Sequence, residues 1–221
     1  MYFLYLLQLL NIIIAFSTIV IGLKSFSTLK ENRILLLIPV FSFLQIIITG
    51  LLGMVREITF SNLSRDLICT YIRLEFIIIF IYFWRLSKTL RYQALSIALP
   101  PIAIISIIIS LFVINDKMRL RMGTFLLIEG PILLVIALLF IIELFKKRKI
   151  NNYINDSNLF AMFGIFFLSV ISWPTIIIQN NVTKISSPYF KFNFISNSIA
   201  YLILFSFLSY SFYVTRKSRI K

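Results

Sequence analysis

The sequence predicts an all-α integral membrane protein, a bundle of seven transmembrane helices with its N-terminus outside and its C-terminus cytoplasmic. Three observations predict it. Of the 221 residues, 60% are hydrophobic, and mean hydropathy is +0.97, far above a soluble globular domain. The apolar residues gather into seven runs, each about 20 residues long, the length a helix needs to cross a hydrocarbon core of about 30 Å. The basic residues lie in clusters between those runs. With the N-terminus outside, the inner segments hold 14 lysines and arginines and the outer loops hold seven. That bias sets the orientation.

Taken in order, Tyr2 to Leu23 is the first span. No basic residue precedes it, and Lys24, Lys30 and Arg33 follow. It lacks the basic region and small-residue cleavage site of a signal peptide, so it reads as an uncleaved helix. Ile34 to Val55 is the second span, bent at Pro39 and loosened by Gly50 and Gly53. A loop of mixed charge from Arg56 to Asp66 leads to the third span, Leu67 to Ser87. Ala94 to Ile114 is the fourth, and Pro100-Pro101 interrupt its backbone ladder. Proline at that depth needs neighbours to satisfy the freed carbonyls, which predicts packing inside the bundle.

Asn115 to Met122 forms the next outer loop, and Thr124 to Phe145 is the fifth span, stopped by Lys146-Lys147-Arg148-Lys149. A polar loop from Asn151 to Asn158 precedes the sixth span, Leu159 to Ile178, which holds Trp173-Pro174. Phe194 to Val214 is the seventh. The expected organisation is one transmembrane domain over residues 1–214 and a short basic cytoplasmic tail over 215–221. Multi-pass residence in the cell membrane, with the lipid bilayer as first partner, follows.

Composition also excludes. The formal net charge of +14 would suggest nucleic acid in a soluble chain. Here the clusters flank apolar spans, so anionic headgroups and topology account for them and no nucleic-acid partner is expected. There is no histidine and one cysteine, Cys69. No internal disulfide can form, and neither a metal site nor a cofactor is expected. Nothing resembles an intramembrane enzyme: there is no paired Asp motif and no convincing serine nucleophile.

The third span is the informative one. Arg73 and Glu75 sit in its first half, and it ends in Tyr82 and Trp84 followed by Arg85, Lys88 and Arg91. An ionisable group inside a span costs about 2.5 kcal/mol or more, so such a residue marks a functional site. The predicted orientation puts other polar residues at the same depth. Asn11, Glu129 and Asn197 lie in the outer half of odd-numbered spans, and Gln45, Ser106 and Trp173 in the outer half of even-numbered ones. Two readings fit that layer: interhelical hydrogen bonds, or a cavity open to the outside that binds an unknown small ligand. Arg73 and Glu75 are about 200° apart around the helix, so they cannot face one partner together. Glu75 and Glu129 are the more telling pair.

Arg73-Leu74-Glu75-Phe76, with Phe80, Phe83 and Leu90-Arg91-Tyr92, resembles the third helix of the seven-helix N-terminal membrane region of bacterial sensor histidine kinases and related signalling proteins. Phe76 stands where that family usually has tyrosine. The resemblance implies a sensory input module that signals through a separate cytoplasmic protein. The second functional class is a small transporter or permease subunit whose intramembrane carboxylates carry protons or cations. A transporter needs its polar path to continue to the inner face, and the inner halves read as dry.

Overall fold

The computed structural model describes residues 2–26, 31–54, 58–113, 123–147, 156–181 and 187–220. Among these the chain is all-helical. Seven α-helices follow one another: α1 Tyr2–Lys24, α2 Leu37–Met54, α3 Ile58–Thr89, α4 Gln93–Val113, α5 Gly123–Lys147, α6 Ser157–Asn181 and α7 Ser187–Ile220. A short 3-10 helix, Glu31–Leu36, leads into α2. Among the described residues, two helices are long and apolar enough to cross a membrane, α1 over Leu6–Lys24 and α7 over Phe194–Lys217. The described parts of α2, α4 and α6 carry shorter apolar stretches.

Side-chain contacts fix the directions of several helices. Phe16 of α1 meets Phe43 of α2 at 5.9 Å between ring centroids, while Gly22 faces Leu36, so α1 and α2 run antiparallel. Thr18 meets Phe205 and Ser209 of α7, and Gly22 meets Phe212, so α1 and α7 run parallel. Phe160 of α6 meets Tyr210 of α7 edge-on, while Gly164, one turn on, lies against Leu204 and Phe207, so α6 and α7 run antiparallel. The core between them is aromatic and aliphatic, with Phe76, Tyr82, Phe83, Phe140, Phe205 and Phe212 its largest fully buried side chains.

The outer surface of the bundle is just as apolar. Leu6, Ile13 and Phe16 of α1, Ile97 and Ile104 of α4, and Val135 and Leu139 of α5 are all exposed. Only 28% of the apolar window of α1 is buried, which separates it from the core helix of a water-soluble protein. Burial in water-soluble folds removes such surface at about 25 cal/mol per Å², and exposed aliphatic faces on successive helices mark a surface in contact with something apolar.

Several sequence expectations change. The loop expected from Arg56 to Asp66 is helical from Ile58, so α3 begins nine residues before the apolar run. Pro39 sits in the first turn of α2 rather than at a bend within it; there its missing N–H has no intrahelical bond to lose. The tail is helical to Ile220. Pro100 is half-buried but Pro101 is exposed, and Ile97 of the same helix is 74% exposed. The prolines are therefore not enclosed by the bundle as expected. The loop expected at residues 115–122 and the basic residues Arg148 and Lys149 lie outside the described residues.

The helix ends follow local chemistry. Asp156 caps α6, its Oδ1 accepting from the Asn158 N–H at 3.0 Å, which satisfies one orphan donor of the first turn. α3 closes with the Tyr92 N–H on the Ser87 carbonyl at 2.8 Å and the Arg91 N–H on the Lys88 carbonyl at 3.1 Å. This is a Schellman turn, and its left-handed position is Arg91 at φ 59°, where glycine is the usual residue. A side chain there costs about 1 kcal/mol or more. Arg91→Gly is therefore expected to raise the melting temperature in detergent, by a gain of about 1 kcal/mol; a fall on that substitution would mean that the arginine side chain, not the turn, holds this corner.

Candidate functional site

The site begins on one face of α3, where Tyr71 and Glu75 lie four residues apart and hence one above the other. Both are buried, Tyr71 at 6% and Glu75 at 5% exposure. On α7, Tyr201 faces them. Its hydroxyl donates to Glu75 Oε2 at 2.7 Å, and its ring lies 6.2 Å from that of Tyr71. The second carboxyl oxygen, Oε1, is buried without a hydrogen-bond partner among the described residues. The Tyr71 hydroxyl lies beside Ser42 of α2, Tyr201 and Glu75 but completes hydrogen-bond geometry with none of them. Three helices thus enclose one carboxylate, two phenols and one serine hydroxyl.

Among the described residues no basic side chain balances the carboxylate. The described groups that act on Glu75 are the Tyr201 and Tyr71 hydroxyls. Arg73 is half-buried and turned about 200° away around α3. It makes contacts of its own.

The residues expected from sequence distribute as follows. Asn11 is buried, and its Oδ1 has no hydrogen-bond partner among the described residues. The parallel register of α1 and α7, with Thr18 against Phe205 and Ser209, sets Asn11 at the level of Tyr201. Gln45 is half-buried one turn from Ser42, and Asn197 is half-buried one turn before Tyr201; each has a polar or ring contact. Ser106 turns back to its own helix, donating to the Ile102 carbonyl at 2.7 Å. The side chains of Glu129 and Trp173 lie outside the described residues, although both positions are helical.

Glu75 and Asn11 thus lie at one level of the bundle, and both side chains are buried among the described residues. Sequence reasoning missed Tyr71, Tyr201 and Ser42. One signal was available for two of them. A tyrosine buried in an apolar helix must find a partner for its hydroxyl, and Tyr71 and Tyr201 each stand four residues from an expected polar site residue.

Below this layer α7 makes two further polar contacts. The Thr18 and Ser209 hydroxyls bond at 2.7 Å, and Thr18 Oγ1 is also 3.2 Å from the Phe205 carbonyl. Asn32 Nδ2 donates to Ser211 Oγ at 3.0 Å. This end of the bundle, which the sequence reading expected to be dry, therefore carries polar groups. They close on each other, and Leu204, Phe205 and Leu208, all fully buried, lie between them and Tyr201. At the same end stand the exposed Arg33, its guanidinium 4.6 Å from the Phe26 ring centroid, and Lys88, 3.7 Å from that of Trp84.

Among the described residues no three of His, Cys, Asp and Glu come together as metal ligands. Searches against protein-family models, curated proteins and solved structures match nothing to this chain.

Proposed function

We propose that the chain is a multi-pass protein of the cell membrane, its seven helices crossing with the N-terminus outside, and that it works as a sensory input module. In this reading the cue acts on the Glu75–Tyr201 contact in the outer half, and the basic inner end passes the change to a separate cytoplasmic signalling protein. The observation that carries the reading is Glu75 itself: a carboxylate buried between α3 and α7 with one oxygen bonded and one not. Such a group is expensive to keep for packing alone. The exposed aliphatic faces and the alternating directions of α1, α2, α6 and α7 support the crossing. Lys24, Arg33, Arg85, Lys88 and Lys146 are exposed at helix ends that this topology makes cytoplasmic.

The transporter reading is the weaker of the two. Its path from the Glu75 layer to the inner end meets the fully buried Leu204, Phe205 and Leu208 side chains, which offer an ion nothing to replace its hydration.

Two measurements test the proposal. Reporter fusions after Lys149 and after Lys221 should both report cytoplasm; an outside signal from either breaks the topology. Cysteine at position 75, in a Cys69→Ser background, should react slowly with a membrane-impermeant thiol reagent added outside, because the sealed layer must open for a cue to reach it. Complete protection over hours would leave Glu75 as interhelical packing.

A further inference from the structure

Resting on that reading, we propose that the Glu75 layer is a binding site for a small monovalent cation. The argument is one of charge and donors. Ionised, Glu75 brings one negative charge into the bundle, and the described groups that act on it are two neutral phenols; a cation is what would hold it in that form. The Glu75 Oε1 is unpartnered among the described residues, and so is the hydroxyl of Tyr71, which lies near Glu75 and near the Ser42 hydroxyl of α2. These are oxygen donors, the kind that hard cations take, in a place where no nitrogen or sulfur ligand is present among the described contacts.

Valence follows from the same count. A single positive charge neutralises the one carboxylate. A divalent ion would leave a net positive charge buried, at a cost of the same order as the bare carboxylate it replaced. Size follows from burial, since Tyr71 and Glu75 are each more than nine-tenths enclosed. So enclosed a site suits an alkali ion or the ammonium head of an amine, which a few side-chain oxygens can surround, and not a quaternary ammonium, which is far larger and carries no N–H donor.

The position of the site gives the cation a task. Tyr201 already bonds Oε2, so a cation on Oε1, Tyr71 and Ser42 would tie α2 and α3 to the carboxylate that α7 holds. Occupancy would then tighten the three helices together. Loss of the cation would leave the carboxylate held by Tyr201 alone.

The test is a melting curve of the purified full chain in detergent, begun in choline chloride and titrated at constant ionic strength with sodium, potassium or ammonium chloride. Constant ionic strength removes general screening of the charged surface. The expected result is a saturable rise in melting temperature with at least one of the three cations. A response to sodium or potassium assigns an inorganic ion, and a response to ammonium alone assigns the head of an organic amine. Both support the site.

Glu75→Gln should abolish the response while folding normally, because an amide keeps an acceptor and removes the charge. Tyr71→Phe, which keeps the ring and removes one oxygen, should move the midpoint to several-fold higher salt. Identical curves in all four salts, or a response that persists in Glu75→Gln, would overturn the cation site. Thiol labelling at position 75 would still stand in that case, so the sensory reading and the cation assignment fail separately.

Discussion

Leucine in place of Gly164 is expected to force α6 and α7 apart and lower stability by about 3 kcal/mol. A Cβ at this position would lie 3.0 Å from the Phe207 Cβ and 3.2 Å from Leu204 Cδ1, with the Leu204 carbonyl oxygen at 3.3 Å. Two of those three atoms belong to the neighbouring helix near its backbone and cannot turn aside. Close approach of this kind is how helices associate where lipid offers no hydrophobic drive. Alanine is a different case. Its helix propensity exceeds that of glycine by about 1 kcal/mol, which offsets a mild overpacking of about the same size, so Gly164→Ala should melt near the unmodified protein. The pair of variants separates steric from intrinsic effects. A leucine variant that melts within a degree of the parent would mean that α6 and α7 do not meet here.

The second large effect is expected at Tyr201. Phenylalanine keeps the ring against Tyr71 and Phe205 and removes only the hydroxyl that donates to Glu75. A hydrogen bond to a charged group contributes about 1.5–3 kcal/mol, and its loss leaves both carboxyl oxygens without a donor among the described residues. Tyr201→Phe should therefore lower stability by about 2 kcal/mol. Made in a Glu75→Gln background, the same change should cost only about 1 kcal/mol, because a neutral amide suffers less from an unmet acceptor. The difference is the coupling energy of the pair. Costs equal in the two backgrounds to within about 0.4 kcal/mol would show that the hydroxyl and the carboxyl act independently, and the contact would lose its place at the centre of the site.

Parts of this arrangement were legible in the sequence and parts were not, for physical reasons that differ. The helical class was legible because long apolar runs admit no other backbone in lipid. The start of α3 was not: Asn62, Arg65 and Asp66 end the apolar run, yet polar residues can continue a helix beyond it, so hydropathy marks the span and not the helix. Glu75 stood out as an ionisable group in an apolar segment. Its partner did not, because a tyrosine among phenylalanines reads equally well as packing or as an interfacial anchor. Only the register of α3 against α7 identifies Tyr201, and register is a property of two helices that neither sequence segment carries alone. The same applies to Thr18 with Ser209 and Asn32 with Ser211, which is why the inner half read as dry.

Glu75, Thr18 and Asn32, drawn from three separate elements, all find hydrogen-bond partners on α7. That helix is the last of the seven to leave the ribosome. Until it does, the segments already made hold the Glu75 carboxylate and the Asn32 amide without the α7 hydroxyls they will use. The Thr18 hydroxyl has only the Ile14 carbonyl of its own helix, and α1 has no parallel neighbour for its Thr18 face. Chains are made at about 5–20 residues per second, so this half-closed state persists for seconds during each round of synthesis. Completion of the bundle is therefore an event with a definite trigger, the arrival of Tyr201, Ser209 and Ser211, and a nascent chain arrested before Ser187 should remain open to quality-control proteases that spare the finished protein.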